Sequence, residues 1–302
     1  MKKVLFTIIS LAAMLSIDVN AKPIASGTSV ACTLDAVRLT AVAESQDGAD
    51  TSTLLANNNL LTNTYDASDC AGFYGNDDGG LSSPNPNTGI FEEGLLNGEA
   101  DKDGFVYFPG GAFISPSDLL DLDGIGGFND PGWIHLAGSA SDANPLGMQY
   151  SSVNSLNIGS VLDIDFSCST GSNDSCTAGS WSLATTENIV SVVQSVLGRS
   201  TFDHLAISLK VGTKFVVYDF NFKTIFGAEA LGGNNVFDFL TAYTLGGTFD
   251  TKDLVHERNG QQQAISHINV WARDPIATDI SEPTVLALFS VLALVVFRRR
   301  KA

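Results

Sequence analysis

Apolar and polar residues alternate with a period of two along several stretches of the chain, the pattern of a strand that turns one face to a core. In residues 205–211, Leu205, Ile207, Leu209 and Val211 are apolar while Ala206, Ser208 and Lys210 are small or polar. Leu162, Ile164 and Phe166 alternate with Asp163 and Asp165, and Phe215–Phe222 is a run rich in Val, Tyr and Phe. Over Ile265–Trp271 apolar residues fall on both parities, so neither face is purely polar. Phe105–Phe108, Trp133–Ala137 and Phe237–Tyr243 are shorter strand candidates, and Asp78-Gly79-Gly80, Gly110-Gly111 and Gly246-Gly247 are turn signals between them. One stretch departs from this pattern. Ile189, Val192, Val193, Val196 and Leu197 recur at helical spacing, with Thr185 or Thr186 as a cap and Gly198 as a stop. Strands without alternating helices predict a mainly β fold, an antiparallel β-sandwich of jelly-roll-like type carrying one short helix. Residues 44–103, rich in Asn, Asp, Gly and Ser, read as loop-dominated, and no fixed-period repeat is present.

The two ends follow different patterns. Lys2 and Lys3, the apolar stretch Val4–Leu15 and the small-residue site Val19-Asn20-Ala21 have the layout of a secretory signal peptide over residues 1–21. At the other end Ser281-Glu282-Pro283 precedes the apolar run Thr284–Phe297, and Arg298-Arg299-Arg300-Lys301 follows. Pro283 suits the first position of a helix, where its missing N–H costs nothing. As a helix this run would span only about 21 Å, short of a hydrocarbon core of roughly 30 Å. Snorkelling arginines make up part of the difference and keep the basic end cytoplasmic, leaving 22–280 outside.

This three-part tail resembles the PEP-CTERM sorting signal of exported proteins from Gram-negative bacteria, with Ser281 in place of the first Pro. The resemblance covers only the last two dozen residues. It implies export across the inner membrane, a transient membrane anchor, processing by signal peptidase and exosortase, and delivery to the cell surface or an extracellular matrix of exopolysaccharide. The stretch from Gly246-Gly247-Thr248-Phe249 to Ile265-Ser266-His267-Ile268 is loosely similar to the closing strands of many such ectodomains, and carries no catalytic assignment. The expected organisation is therefore a signal peptide (1–21), an acidic β-sandwich ectodomain (22–276) and a sorting signal with a short transmembrane helix (277–302). The alternative for the tail is an uncleaved single-pass anchor.

Charge narrows the partners. The chain carries 33 acidic and 16 basic residues, a net charge of −17. Without the two terminal signals, residues 22–281 hold 31 acidic and 10 basic residues, a net −21. Such a surface stays soluble and repels nucleic acid and anionic lipid. The hydrophobic share of 44% rules out a disordered acidic tail.

Export gives the four cysteines their meaning, because an even number in an oxidising compartment predicts disulfides. Four allow three connectivities, and sequence proximity favours Cys168–Cys176 with Cys32–Cys70. A zinc site is the alternative, but no Cys-x-x-Cys pair is present.

Motifs for chemistry are sparse. Asp101-Lys102-Asp103-Gly104 and Asp121-Leu122-Asp123-Gly124 resemble the middle of a calcium loop, with Asp130 at the last ligand position of the second. In that register Leu119 holds the first position and cannot coordinate, and the first loop ends on Gly110, so plain turns are favoured over calcium. His135, His204, His256 and His267 are scattered, with no metal-binding pair. Nucleophile elbows, phosphate loops and dinucleotide fingerprints are absent. Trp133, Trp181, Trp271, Tyr107 and Tyr150 could stack on sugars if exposed, but burial tendency favours the core. The chain therefore reads as a non-enzyme that associates with extracellular glycan, without an assigned cofactor. The rival is a secreted polysaccharide-active hydrolase.

Overall fold

Alternation on the strands sets two faces, and two sheets close on each other through the apolar one. A computed structural model describes residues 29–77, 86–199 and 202–273. The export signal (1–21), the sorting tail with Ser281, Glu282, Pro283, Arg298, Arg299 and Arg300, and the turn at Asp78 lie outside these residues. No helix among the described residues is long and apolar enough to cross a membrane.

In chain order the strands are β1 (Ser29–Val30), β2 (Val37–Glu44), β3 (Tyr65–Asp66), β4 (Asp69–Tyr74), β5 (Trp133–Ser141), β6 (Asn144–Tyr150), β7 (Ser152–Val153), β8 (Leu156–Asn157), β9 (Leu162–Thr170), β10 (Ala178–Thr185), β11 (His204–Val211), β12 (Lys214–Asn221), β13 (Tyr243–Asp250) and β14 (His267–Arg273). Three short helices join them: α1 (Thr51–Asn57), α2 (Ile189–Leu197) and α3 (Phe222–Leu231). One sheet has the order β1-β4-β12-β11-β14-β5-β6 and the other β3-β2-β13-β10-β9, with antiparallel pairing throughout. Val37, Leu39 and Val42 of β2 share one core with Leu205, Ile207 and Leu209 of β11, and Trp181 of β10 meets Phe220 of β12 at 6.0 Å between ring centres. The fold is mainly β and sandwich-like, as the alternation predicts.

The seven-stranded sheet is buried on its other face too. Segment 86–132, whose regular structure is two short 3-10 turns and two isolated bridges, lays Leu95, Leu96, Tyr107, Phe108 and Ala112 across Phe73, Phe215, Val217, Trp133 and Trp271. Asn97 fixes it there: its Nδ2 donates to the Trp133 carbonyl at 2.7 Å and its Oδ1 accepts from the Trp133 N–H at 3.0 Å. Every residue of β11 is buried: Ala206 lies under this cover, and Ser208 and Lys210, on the parity that reads as polar, meet Asp77 and Asn76 just beyond β4.

Several local expectations change. Phe105–Phe108 forms no strand beyond an isolated bridge at Val106: Tyr107 and Phe108 serve the cover and not a ladder, and Phe105 is exposed. Of Phe237–Tyr243 only Tyr243 enters a strand, and Phe237 instead stacks on Phe226 of α3 at 4.5 Å. Phe222 opens α3, where Asn221 accepts from the Thr224 N–H as a cap. α1 falls inside the stretch read as loop, started by the same device at Asp50. Gly246-Gly247 is no turn but the middle of β13, where a side chain at Gly247 would strike the Arg38 carbonyl and the Trp181 ring. α2 forms where its spacing predicts, ending at left-handed Gly198 (φ 71°), although Asn188, not a threonine, stands at its start.

Both disulfides favoured by proximity are formed. Cys32–Cys70 ties the chain beside β1 to β4, and Cys168–Cys176 closes the β9–β10 turn.

Candidate functional site

The outer face of the five-stranded sheet carries an open polar groove of about 660 Å³. Alternation builds its floor. With Ile164 and Phe166 turned inward on β9 and Trp181 and Leu183 on β10, Asp165, Ser167, Ser180 and Ser182 must face out. Thr40 of β2 and Gly246 of β13 continue the floor, and α1 with Asn59 forms one wall. Gly246 permits that wall, since a Cβ there would lie 2.6 Å from Leu55 Cδ1. Asp50 caps α1 through the Thr53 N–H at 2.8 Å, and its hydrogen bonds from Thr53 and then Ser52 hold its carboxyl below the usual carboxylate range. The hydroxyls of Ser167, Ser180 and Ser182 and the Asp165 carboxylate make no hydrogen bond to another described residue. They form a row of donors and acceptors open to a polyhydroxylated ligand.

The aromatic residues do not supply a stacking platform. Trp133, Trp181, Trp271 and Tyr107 are buried in the two cores, and the half-buried Tyr150 donates its hydroxyl to Asp163 at 2.5 Å. Core packing, the expectation from burial tendency, accounts for all three tryptophans.

The acidic loops separate into two arrangements. Asp121, Asp123 and Asp130 bring carboxylate oxygens within 4.8 Å of one another, a donor set of the type a hard divalent cation uses. Asp130 is fully buried, and its oxygens already accept from the N–H groups of Phe91 (3.1 Å) and Leu122 (2.7 Å). Asp101 and Asp103 do not join them. Asp101 accepts from the Asp103 and Phe105 N–H groups at 2.9 Å and from the Tyr107 hydroxyl at 2.7 Å, knotting its own loop. Burial and that carboxylate push the Tyr107 hydroxyl well above its ordinary range.

A polar layer lies between the seven-stranded sheet and its cover, and sequence reading missed it. Buried Arg273 pairs with Asp203 at 2.9 Å and donates from Nε to the Pro131 carbonyl and from Nη2 to the Asp118 carbonyl, holding the cover to the sheet. His204 Nδ1 lies 3.0 Å from Asp219, whose carboxyl is held above the usual carboxylate range by burial, an effect that His204 only partly offsets. Farther along, Ser151 Oγ meets His135 Nδ1 at 2.6 Å, His135 Nε2 meets Asn269 Oδ1 at 3.0 Å, and Asn269 Nδ2 donates to Asp77 at 3.1 Å. Asp77 faces Lys210. His267 opens β14, and His256 sits in a turn where it accepts from the Arg258 N–H.

At one end of the sandwich, α2 and α3 cover an apolar cavity of about 130 Å³ between the sheets, lined among others by Leu136, Val153, Val193, Phe226 and Leu245. Compared with known proteins, the chain matches no family model, no curated protein and no solved structure.

Proposed function

We propose that the chain is an exported, exosortase-processed protein of the cell surface or extracellular matrix of a Gram-negative bacterium, and that its sandwich-like ectodomain associates with exopolysaccharide. The observation that carries the binding role is the groove on the five-stranded sheet, with its row of uncommitted hydroxyls and the Asp165 carboxylate. Two formed disulfides are consistent with an oxidising, extracellular location. The tail resemblance supplies the sorting route.

Each hydroxyl contact contributes a net of only about 0.5–1.5 kcal/mol, so one sugar unit binds weakly and a repeating chain gains through repeated engagement. The net charge of −21 over residues 22–281 disfavours polyanions and selects neutral or cationic glycans. The test is a glycan array on the mature protein, read together with release of reducing ends. Retention of neutral glycan that is lost in Asp165→Ala/Ser180→Val, without cleavage, supports a binding module. New reducing ends establish the hydrolase instead, and retention unchanged in the double variant removes the groove from the account.

A further inference from the structure

Lys210 projects from the covered face of β11 into the buried polar layer, where two side chains of a different chemical kind meet it. Its Nζ lies 2.9 Å from the side-chain carbonyl oxygen of Asn76 and 3.2 Å from Asp77 Oδ1. The lysine side chain is 11% exposed and that of Asp77 0%. Asp77 is aimed by its second oxygen, which accepts from Ser208 Oγ and Asn269 Nδ2, both at 3.1 Å. Asn76 is oriented from the far side, its Nδ2 donating to Asp103 at 3.3 Å. An amine, a carboxamide and a carboxylate are thus assembled in one water-poor site, each held by further hydrogen bonds. None of them belongs to the polysaccharide groove.

We propose that Lys210 and Asn76 become joined by a side-chain amide, with Asp77 carrying the protons. Across the 3.2 Å contact in this buried layer, transfer of a proton from Lys210 to Asp77 yields a neutral amine and a neutral acid, and relieves the cost of holding two charges away from water. The free pair on Nζ attacks Cγ of Asn76, forming a C–N bond and placing charge on Oδ1. Asp77 gives its proton to Nδ2 and takes the second proton from Nζ. The Cγ–Nδ2 bond then breaks and Nδ2 leaves as ammonia. One C–N bond forms and one breaks, nothing is oxidised or reduced, and no external reagent is required. Held proximity replaces the bimolecular encounter that makes such an exchange slow between free side chains.

The consequence is mechanical. Cys70, within β4, is tied to Cys32, and Asn76, just beyond the end of β4, would be tied to β11 across a sequence separation of 134. β4 and the residues that follow it would then be covalently held at both ends to the body of the sheet.

Tryptic mass spectrometry of the reduced protein from its native host decides the matter, and is independent of how the termini are processed. Trypsin does not cut after an acylated lysine, so a branched peptide joining 39–102 to 200–214 is expected, with the summed mass less one ammonia and fragment ions placing the branch at Asn76. Separate peptides 39–102 and 200–210 would overturn the proposal. A branched peptide lighter by one water, with the branch at Asp77, would overturn the assignment of Asn76. Lys210→Arg, which keeps the charge but cannot form the amide, is expected to give only separate peptides. Asp77→Asn, checked for folding by near-ultraviolet circular dichroism, is expected to lose the branch, and its persistence there would remove Asp77 from the proton transfer.

Discussion

The two disulfides close loops of very different length, which makes their separate contributions to stability calculable. Cys32 and Cys70 are 38 residues apart, and Cys168 and Cys176 only 8. In the chain-entropy account the longer loop restricts the unfolded state by about 3.9 kcal/mol and the shorter by about 2.6 kcal/mol, a difference near 1.3 kcal/mol. Comparing a cysteine variant directly with the native protein would confuse the two effects, since Cys176 is fully buried and its loss also removes packing. Two double variants avoid the difficulty, Cys168→Ala/Cys176→Ala and Cys32→Ala/Cys70→Ala, each unfolded in urea with its remaining bridge oxidised and then reduced. The oxidised–reduced difference within each variant reports one loop alone. Fluorescence follows the transition well, because Trp133, Trp181 and Trp271 are all buried. Reduction of Cys32–Cys70 is expected to lower stability by about 4 kcal/mol, and to exceed the effect of reducing Cys168–Cys176. An equal or reversed order would refute the loop-length reasoning and assign the stabilisation to native-state contacts around the bridges.

Two further perturbations test the polar anchors. Burial alone would raise the carboxyl of Glu229, but hydrogen bonds from Asn234, Tyr65 and Thr62 outweigh it and hold the group below its ordinary 4.5. Its contribution is then present above the unfolded value of 4.5 and is lost as pH falls through the depressed folded value. Urea unfolding across that acid window should show a steeper loss for the native protein than for Glu229→Gln, and parallel curves would contradict the assignment. Asp130→Asn keeps one acceptor oxygen but replaces the other by an N–H donor facing a backbone N–H, and should cost about 2 kcal/mol in the same assay, equally with and without calcium. A loss confined to calcium-containing buffer would make Asp121, Asp123 and Asp130 a cation site.

The inner faces of the sheets were legible because they follow a single rule. Leu205, Ile207, Leu209, Leu162, Ile164 and Phe166 point to the shared core as their alternation requires, and Asp163 and Asp165 point to solvent. The outer face of β11 was not legible. Ser208 and Lys210 are polar, and what meets them is the buried Asp77 and the half-buried Asn76 just beyond β4; neither these nor segment 86–132 has a periodicity from which its docking can be read. The mixed parity over Ile265–Trp271 was the one local sign, because a strand with no purely polar face is a strand covered on both sides. α1 escaped for a different reason: seven residues are too short for a periodic signal, and its stability comes from the Asp50 cap and from packing over Gly246. The groove residues are individually ordinary serines and threonines, and become a candidate site only when the register of β9, β10 and β13 brings them onto one face. Of the calcium candidates, spacing paired Asp121 with Asp123 and Asp130 as the fold does, whereas Asp101 is taken up by Asp103, Phe105 and Tyr107 of its own loop.

Export and sorting are tested most directly by the C-terminal peptide of the mature protein, isolated from its native host and identified by mass. A terminus near Ser281–Pro283 is the expected result and places the protein at the surface or in the matrix after processing. A mature chain that still ends at Ala302 would contradict exosortase processing and leave a membrane-anchored protein in its place.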